Sequence, residues 1–399
     1  MSHRPHLRIV SGMRPTGALH LGHLHGVLKN WVHLQNSYDC FFFVADLHAL
    51  TTEYADPSVI RNAQREMVID WLAAGINPDL AHVFVQSHVP EVCELGFLLS
   101  MLTPLSWLER VPTYKDQQQK LKNKDLTTYG FLGYPLFMAA DILLYKAAFV
   151  PVGEDQIPHV ELVREIARRF NHFYGRDKHY ADQMQKALNR LNQEHRKTYQ
   201  ALVKSFQEKG DREVIQRVDS VLNQDGLSKV DKEFLSGYVE GKGRLILTEP
   251  EVMLTKTPIF PGLDGQKMSK SYHNAIALRD DAKTVEQKIY KMPTDPARVR
   301  RTDPGDPEKC PVWKYHQIYS DAERQEWVQK GCRSAGIGCL ECKKPLADCI
   351  NQELEPIREQ AFVFMEQPSR VDEVLHEGQK KAKRVASETL AEVKEVMGL

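Results

Sequence analysis

The sequence predicts an α/β protein with a doubly wound parallel sheet, a helical insertion and an all-helical C-terminal domain. Three observations lead there. Apolar runs of strand length alternate with stretches of helical spacing, a glycine-containing turn joins the first run to the first helix, and from Ala282 onward most of the periodicity is helical. Strands separated by helices pair in parallel, because each crossover helix returns the chain to the starting end of the sheet.

Residues 7–11 form a β-branched run, Gly12 to Gly17 turn the chain, and residues 21–34 take helical spacing. A second run, 40–44, precedes a helix that includes 59–72, and a third, 82–86, ends in a loop before another helix. Met138, Ile142 and Tyr145 share a helical face, 148–152 read as a strand, Gly153-Glu154-Asp155 turn, and 159–170 form a helix. Between about 177 and 248 the composition becomes very polar, with Met184, Leu188, Leu191, Tyr199, Leu202 and Phe206 at helical spacing. Gly210-Asp211 breaks that pattern, and Val214, Ile215, Val218, Val221 and Leu222 form a second stripe, which predicts an antiparallel helical hairpin. A last helix spans 380–397 and opens on a basic cluster. The expected division is therefore 1–176, an insertion at 177–248, a return at 249–280, and a helical domain at 281–399.

A chain of 399 residues exceeds one ordinary core, and 42% hydrophobic with 27% charged residues excludes disordered and membrane-spanning classes. Lys plus Arg and Asp plus Glu both number 53, so any nucleic-acid contact must come from local patches. Residues 1–8 leave no room for a signal peptide, and even the apolar run 41–49 is interrupted by Asp46 and His48, so a cytoplasmic location is expected. Of seven cysteines, Cys310, Cys332, Cys339, Cys342 and Cys349 fall in the last quarter, a distribution that favours metal over disulfide in such a compartment.

Two constellations carry chemistry. His20-Leu21-Gly22-His23 stands at the start of the helix after the first strand. Free N–H groups and positive partial charge at a helix start suit polyphosphate, Gly22 admits a flat base, and the imidazoles can donate to phosphate oxygens. Alone, the tetrapeptide is a weak match, and two surface histidines capping a helix are the favoured reading of it. Lys267-Met268-Ser269-Lys270-Ser271 follows Gly262-Leu263-Asp264-Gly265, and its charges can stabilise a departing pyrophosphate without a covalent nucleophile. An ordinary polar loop is the competing reading; the order of both motifs on a doubly wound pattern argues against it.

The pair resembles the two signatures of class I aminoacyl-tRNA synthetases, whose catalytic domain is Rossmann-like. Residues 44–50, 134–145 and 150–156 look like the tryptophanyl-tRNA synthetase family, and the resemblance covers nearly the whole chain apart from the insertion. It implies tryptophan activation with Mg²⁺-bound ATP, transfer to tRNA(Trp), a C-terminal anticodon-binding domain and a homodimer. By resemblance His20, His23, Lys267 and Lys270 carry the electrostatics, while Arg14, Pro15, Thr16, Gly22, His23, Gly153, Glu154, Asp155 and the 267–271 loop (Lys267, Met268, Ser269, Lys270, Ser271) line the ATP site. Lys115, after Arg110, matches a family lysine near the phosphates. Asp141 stands where the family receives the indole N–H, and Tyr134, Met138, His48 and Gln156 match positions that hold the ammonium or pack on the ring. A carboxylate only accepts and an indole N–H only donates, so the pair suits tryptophan. Arg14 departs from the neutral amide many relatives carry, and an arginine there is expected to reach ATP phosphates. A tyrosyl-type synthetase and a catalytically silent tRNA- or nucleotide-binding paralogue are the rivals.

Cys310, Cys332, Cys339 and Cys342 are spaced C-x21-C-x6-C-x2-C, similar to the iron-sulfur motif of a subset of that family, where the first gap is one residue longer. The resemblance implies a 4Fe-4S cluster, with Cys349 as a substitute ligand. Structural Zn²⁺ and plain buried thiols are the alternatives, since spacing does not separate iron from zinc.

Overall fold

Strands β1 (Arg8–Met13), β2 (Asp39–Val44), β3 (Ala81–Val85), β4 (Phe149–Val152) and β5 (Glu251–Leu254) form one parallel sheet in the order β3-β2-β1-β4-β5. The computed structural model describes residues 7–111, 127–175, 178–210, 213–224, 226–239, 245–254 and 260–399. Strand β5 is absent from the runs legible in the sequence, because it is a short edge strand with no buried residue and a Glu at its start. The strand order reverses between β1 and β4, which opens a crevice at their C-terminal ends where ligands of such sheets bind.

The helix after β1 runs from Leu21 to Leu34 as three joined pieces, Leu21–His23, a π-helical turn Leu24–Leu28, and Lys29–Leu34. π-Turns inside helices mark functional sites, and this one carries Gly26 and Val27 to the crevice wall. The same helix anchors the core: Trp31 stacks on Phe42 at 4.3 Å and meets Trp71 edge-on at 5.1 Å.

Two expectations need correction. Among its described residues the insertion holds four helices, Lys178–Arg190, Gln193–Lys209, Glu213–Gln224 and Lys229–Val239, where the sequence suggested a two-helix hairpin. The first stripe breaks at Asn192, whose side chain accepts from the His195 N–H at 2.8 Å and so starts a new helix. Leu188, Leu191, Tyr199, Leu202, Val218, Leu222 and Leu235 give the insertion its own core, and Arg190 closes it on Asp231 at 2.6 and 2.7 Å. The last helix starts at Pro368, twelve residues before the expected 380, and runs to Met397. Proline is preorganised for a first helical turn, whereas the basic cluster is merely a solvated face. A Cβ at Gly378 would lie 1.9 Å from the Val83 carbonyl oxygen, so this helix presses its backbone against edge strand β3. Among the described residues no helix is long and apolar enough to cross a membrane.

Candidate active site

Asp141 lies on helix Tyr134–Leu144, on the face turned to the sheet, and is 2% exposed. A buried carboxylate must be hydrogen-bonded, and two side chains meet it. His48 Nε2 donates at 2.6 Å, and the Gln86 amide donates to both carboxylate oxygens at 2.9 and 2.8 Å. The acceptor-only carboxylate places the imidazole proton on Nε2. The His48 backbone N–H donates to Gln86 Oε1 at 3.4 Å, which turns the amide nitrogen toward Asp141. Gln86 was not singled out from sequence; its one signal is that it follows the C-terminal end of a parallel strand, where such sheets carry their ligand-binding residues.

Around this carboxylate lies a cavity of about 330 Å³ lined by the C-terminal parts of β1 and β4 and by His48, Tyr134, Met138, Gly153 and Gln156. Phe43 closes one wall, its ring filling the space a side chain at Gly12 would need. Tyr134 meets His48 edge-on at 4.9 Å, and burial pushes its hydroxyl above the ordinary tyrosine range. Gln156 reaches the wall but donates to Asp155 at 3.0 Å. Arg14 lines this cavity but not the neighbouring lysine-loop cleft, contrary to the expectation that it reaches the ATP phosphates: its guanidinium is turned to Thr52, and its Nε is buried and unpartnered.

The cavity opens, across His23, Gly26, Val27 and Gly153, into a cleft of about 830 Å³ lined by Thr16, His20, Gly22, Asp155 and the lysine loop. Lys267, Met268, Ser269 and Lys270 all face it, so residues almost 250 positions apart in sequence share one wall. Backbone pairing explains the approach: Leu21 N–H donates to Ile276 O at 3.0 Å, and Leu278 N–H to Leu19 O at 3.0 Å. Met268 is buried in the main core and packs toward Gly22. Asn274 shapes the loop from within, accepting from the Ser269 N–H at 2.8 Å and donating to Asp264 and the Lys267 carbonyl. Pro15 and the exposed Glu154 lie outside both linings, the Ser271 side chain is not described, and Lys115 falls outside the described residues.

Burial, with the Lys270 charge adding, pushes His20 down to about 4. His23 is pushed down to about 3 by burial, then by His20, Lys270 and Lys267. Both are therefore neutral at pH 7 and act as N–H donors, not cations. The His20 backbone N–H donates to His23 Nδ1 at 3.2 Å, which leaves the His23 proton on Nε2. Burial lowers Lys270 to about 8 against the pull of Asp70, so its ammonium still prevails at pH 7.

Cys310, Cys332, Cys339 and Cys342 come together at the ends of helices Pro311–Tyr319, Ala322–Arg333 and Cys339–Glu366. Burial raises the Cys342 thiol to about 12, and Cys310, Cys332 and Cys339 act in the same direction while Lys343 opposes. Lys343 is 3% exposed, donates to the carbonyls of Tyr290 and Met292, and lies near the sulfurs of Cys339, Cys310 and Cys342. Arg298 Nη1 lies 3.7 Å from Cys332 Sγ. Cys349 stands apart, beside Arg324 at 3.5 Å. Among the described residues, no three His, Cys, Asp or Glu side chains close round a single ion.

Two signatures far apart in the chain thus face one another over the crevice of a parallel sheet, the arrangement of a class I aminoacyl-tRNA synthetase. The family model described as "tRNA synthetases class I (W and Y)" matches residues 1–197 and 232–355. The tryptophan–tRNA ligase of Ralstonia nicotianae is 59% identical over 98% of each chain, and that of Thermotoga maritima 45% identical over 98% of this chain and 99% of its own. The crystal structure of tryptophanyl-tRNA synthetase from Campylobacter jejuni, complexed with ADP and tryptophan, is similar at a TM-score of 0.74 and 29% identity, covering 98% of this chain and 100% of that one. The chain belongs to the tryptophanyl-tRNA synthetase family.

Proposed function

We propose that this chain activates L-tryptophan with Mg²⁺-bound ATP and transfers it from tryptophanyl-adenylate to tRNA(Trp). The observation that carries the reading is the buried Asp141 carboxylate at the wall of a cavity that opens into the two-histidine, two-lysine cleft. In this reading the indole enters the cavity and its N–H finds Asp141. A phenol oxygen would also need a donor, and those nearest, His48 and Gln86, are already turned to Asp141. That disfavours a tyrosyl-type activity. The tryptophan carboxylate, already ionised, attacks the α-phosphate, so no protein base is required. His23 Nε2–H and His20 donate to the phosphates, and Lys267 and Lys270 stabilise the charge that builds on pyrophosphate. Pyrophosphate exchange that depends on tyrosine, or on neither amino acid, would overturn this reading.

The helical C-terminal region is assigned to anticodon recognition. A homodimer is supported by Phe97 and Met101, one turn apart, and by nearby Leu105, all more than half exposed. Light scattering at assay concentration tests it, a monomer being the contrary result.

The cysteine quartet is assigned to a metal centre. Its donor set fits by chemistry: four cysteines share one neighbourhood, burial keeps Cys310, Cys332 and Cys342 protonated in the absence of metal, and Lys343 and Arg298 stand beside them to offset the charge that four metal-bound thiolates would carry. A multi-iron cluster is preferred over Zn²⁺ solely because the cysteine spacing is similar to the cluster motif of part of the family. Such a group would supply cross-linking of three helix ends, not redox catalysis. Protein purified without oxygen should be brown with stoichiometric iron and sulfide; colourless protein holding zinc or no metal refutes the cluster.

A further inference from the structure

The quartet's remoteness along the chain suggests no part in activation, yet helix Pro311–Tyr319 joins the two sites. Cys310 immediately precedes that helix. Its next turn grips the catalytic loop: the buried Tyr315 hydroxyl donates to Pro261 O at 2.9 Å, and Lys314 Nζ donates to Gly265 O at 2.9 Å. Gly265 has a φ of +82°, and a Cβ there would stand 3.2 Å from Pro311, so the loop turns directly over the helix start. Tyr315 also meets Phe260 edge-on at 5.6 Å, and the Phe260 carbonyl accepts from the Met268 N–H at 3.2 Å. The neighbouring residue looks the other way. His316 is fully buried, with Nε2 3.2 Å from Cys342 O and 3.3 Å from Cys342 Sγ, and Nδ1 2.8 Å from Ser320 Oγ.

We propose that this helix positions the lysine loop and ties it to the cysteine quartet, so that ligation of the quartet tightens the loop over the ATP cleft. Tyr315 and Lys314 are then positioning residues: they reach no substrate, but they fix the base from which Lys267 and Lys270 extend. A rigid helix held at Cys310 and, through His316, at Cys342 has little freedom to tilt, and two of the loop's carbonyls are bonded to it.

The inference rests on the metal reading, and the test separates the two. Amide hydrogen exchange in residues 260–270 is measured on full-length protein as isolated, after metal removal by a chelator under reducing conditions, and in Tyr315→Phe and His316→Gln. Metal removal and each substitution should speed loop exchange roughly three- to tenfold, the size of one lost hydrogen bond. Tyr315→Phe should keep its metal and its tryptophan KM while its kcat for pyrophosphate exchange falls. Loop exchange unchanged by metal removal overturns the coupling. If the isolated protein holds no metal, the metal reading fails by that analysis alone, and His316→Gln then decides: unchanged loop exchange overturns the tie, faster exchange supports it.

Discussion

Replacing Asp141 by Asn tests the selectivity device with the least steric change. The carboxylate receives His48 Nε2 at 2.6 Å and the Gln86 amide at 2.9 and 2.8 Å, and an indole N–H would be a further donor. Asparagine keeps one acceptor oxygen and turns an NH₂ group toward either His48 or Gln86, both donors. Hydrogen bonds to a charged group contribute about 1.5–3 kcal/mol and neutral ones about 0.5–1.5 kcal/mol, so the indole contact weakens by about 1–2 kcal/mol. That is roughly 5- to 30-fold in kcat/KM for tryptophan. The assay is ATP–pyrophosphate exchange with tryptophan and with benzothienylalanine, in which sulfur replaces the N–H. The analogue makes no such bond, so the tryptophan-to-analogue ratio should fall by that factor. A donor facing a donor at a buried site also costs stability, about 1–3 kcal/mol, visible as a lower thermal midpoint. An unchanged ratio in a folded variant would refute the role of Asp141.

Lys270→Met should lower kcat for pyrophosphate exchange about 100-fold, the usual loss for a transition-state donor, while leaving tryptophan KM within a few-fold; loss of tryptophan binding with intact turnover would show the loop has been misread. Because burial lowers Lys270 to about 8, its charged form dominates below that pH, so kcat/KM for ATP should fall as pH rises through about 8. Lys270→Arg should move that fall upward, and a profile flat to pH 9.5 would contradict it. Deleting the four insertion helices, 178–239, with a short Gly/Ser closure should spare adenylate formation, since they pack on a core of their own. Contacts of Arg168 with Phe206 and His172 with Tyr238 tie the insertion to helix Ile157–Tyr174, so a small loss of stability is expected and total loss of exchange is not.

What the amino-acid sequence determined by itself was whatever depends on near neighbours. Strand-length runs, the turn at Gly12 to Gly17 and the helical spacing of 21–34 follow from side-chain periodicity and backbone preference, and they place His20 to His23 at a helix start beside β1. The chemistry of Asp141 was legible for a related reason: an acid on an otherwise apolar helix face must have a partner. Which partner was not legible, because Gln86 and His48 come from separate strand ends and meet Asp141 only when β2, β3 and helix Tyr134–Leu144 pack together. The short edge strand β5, the break at Asn192 that splits the first insertion stripe, and the fourth insertion helix Lys229–Val239 also escaped, since a strand without a buried face and a short helix that packs only against its neighbours carry weak local periodicity. Tertiary structure alone decided that the lysine loop stands over the histidines and that Tyr315 stands under the loop. Those contacts join residues separated by tens to hundreds of positions, and no local preference specifies them: they exist only because the parallel sheet, the loop and the C-terminal helices share one continuous core.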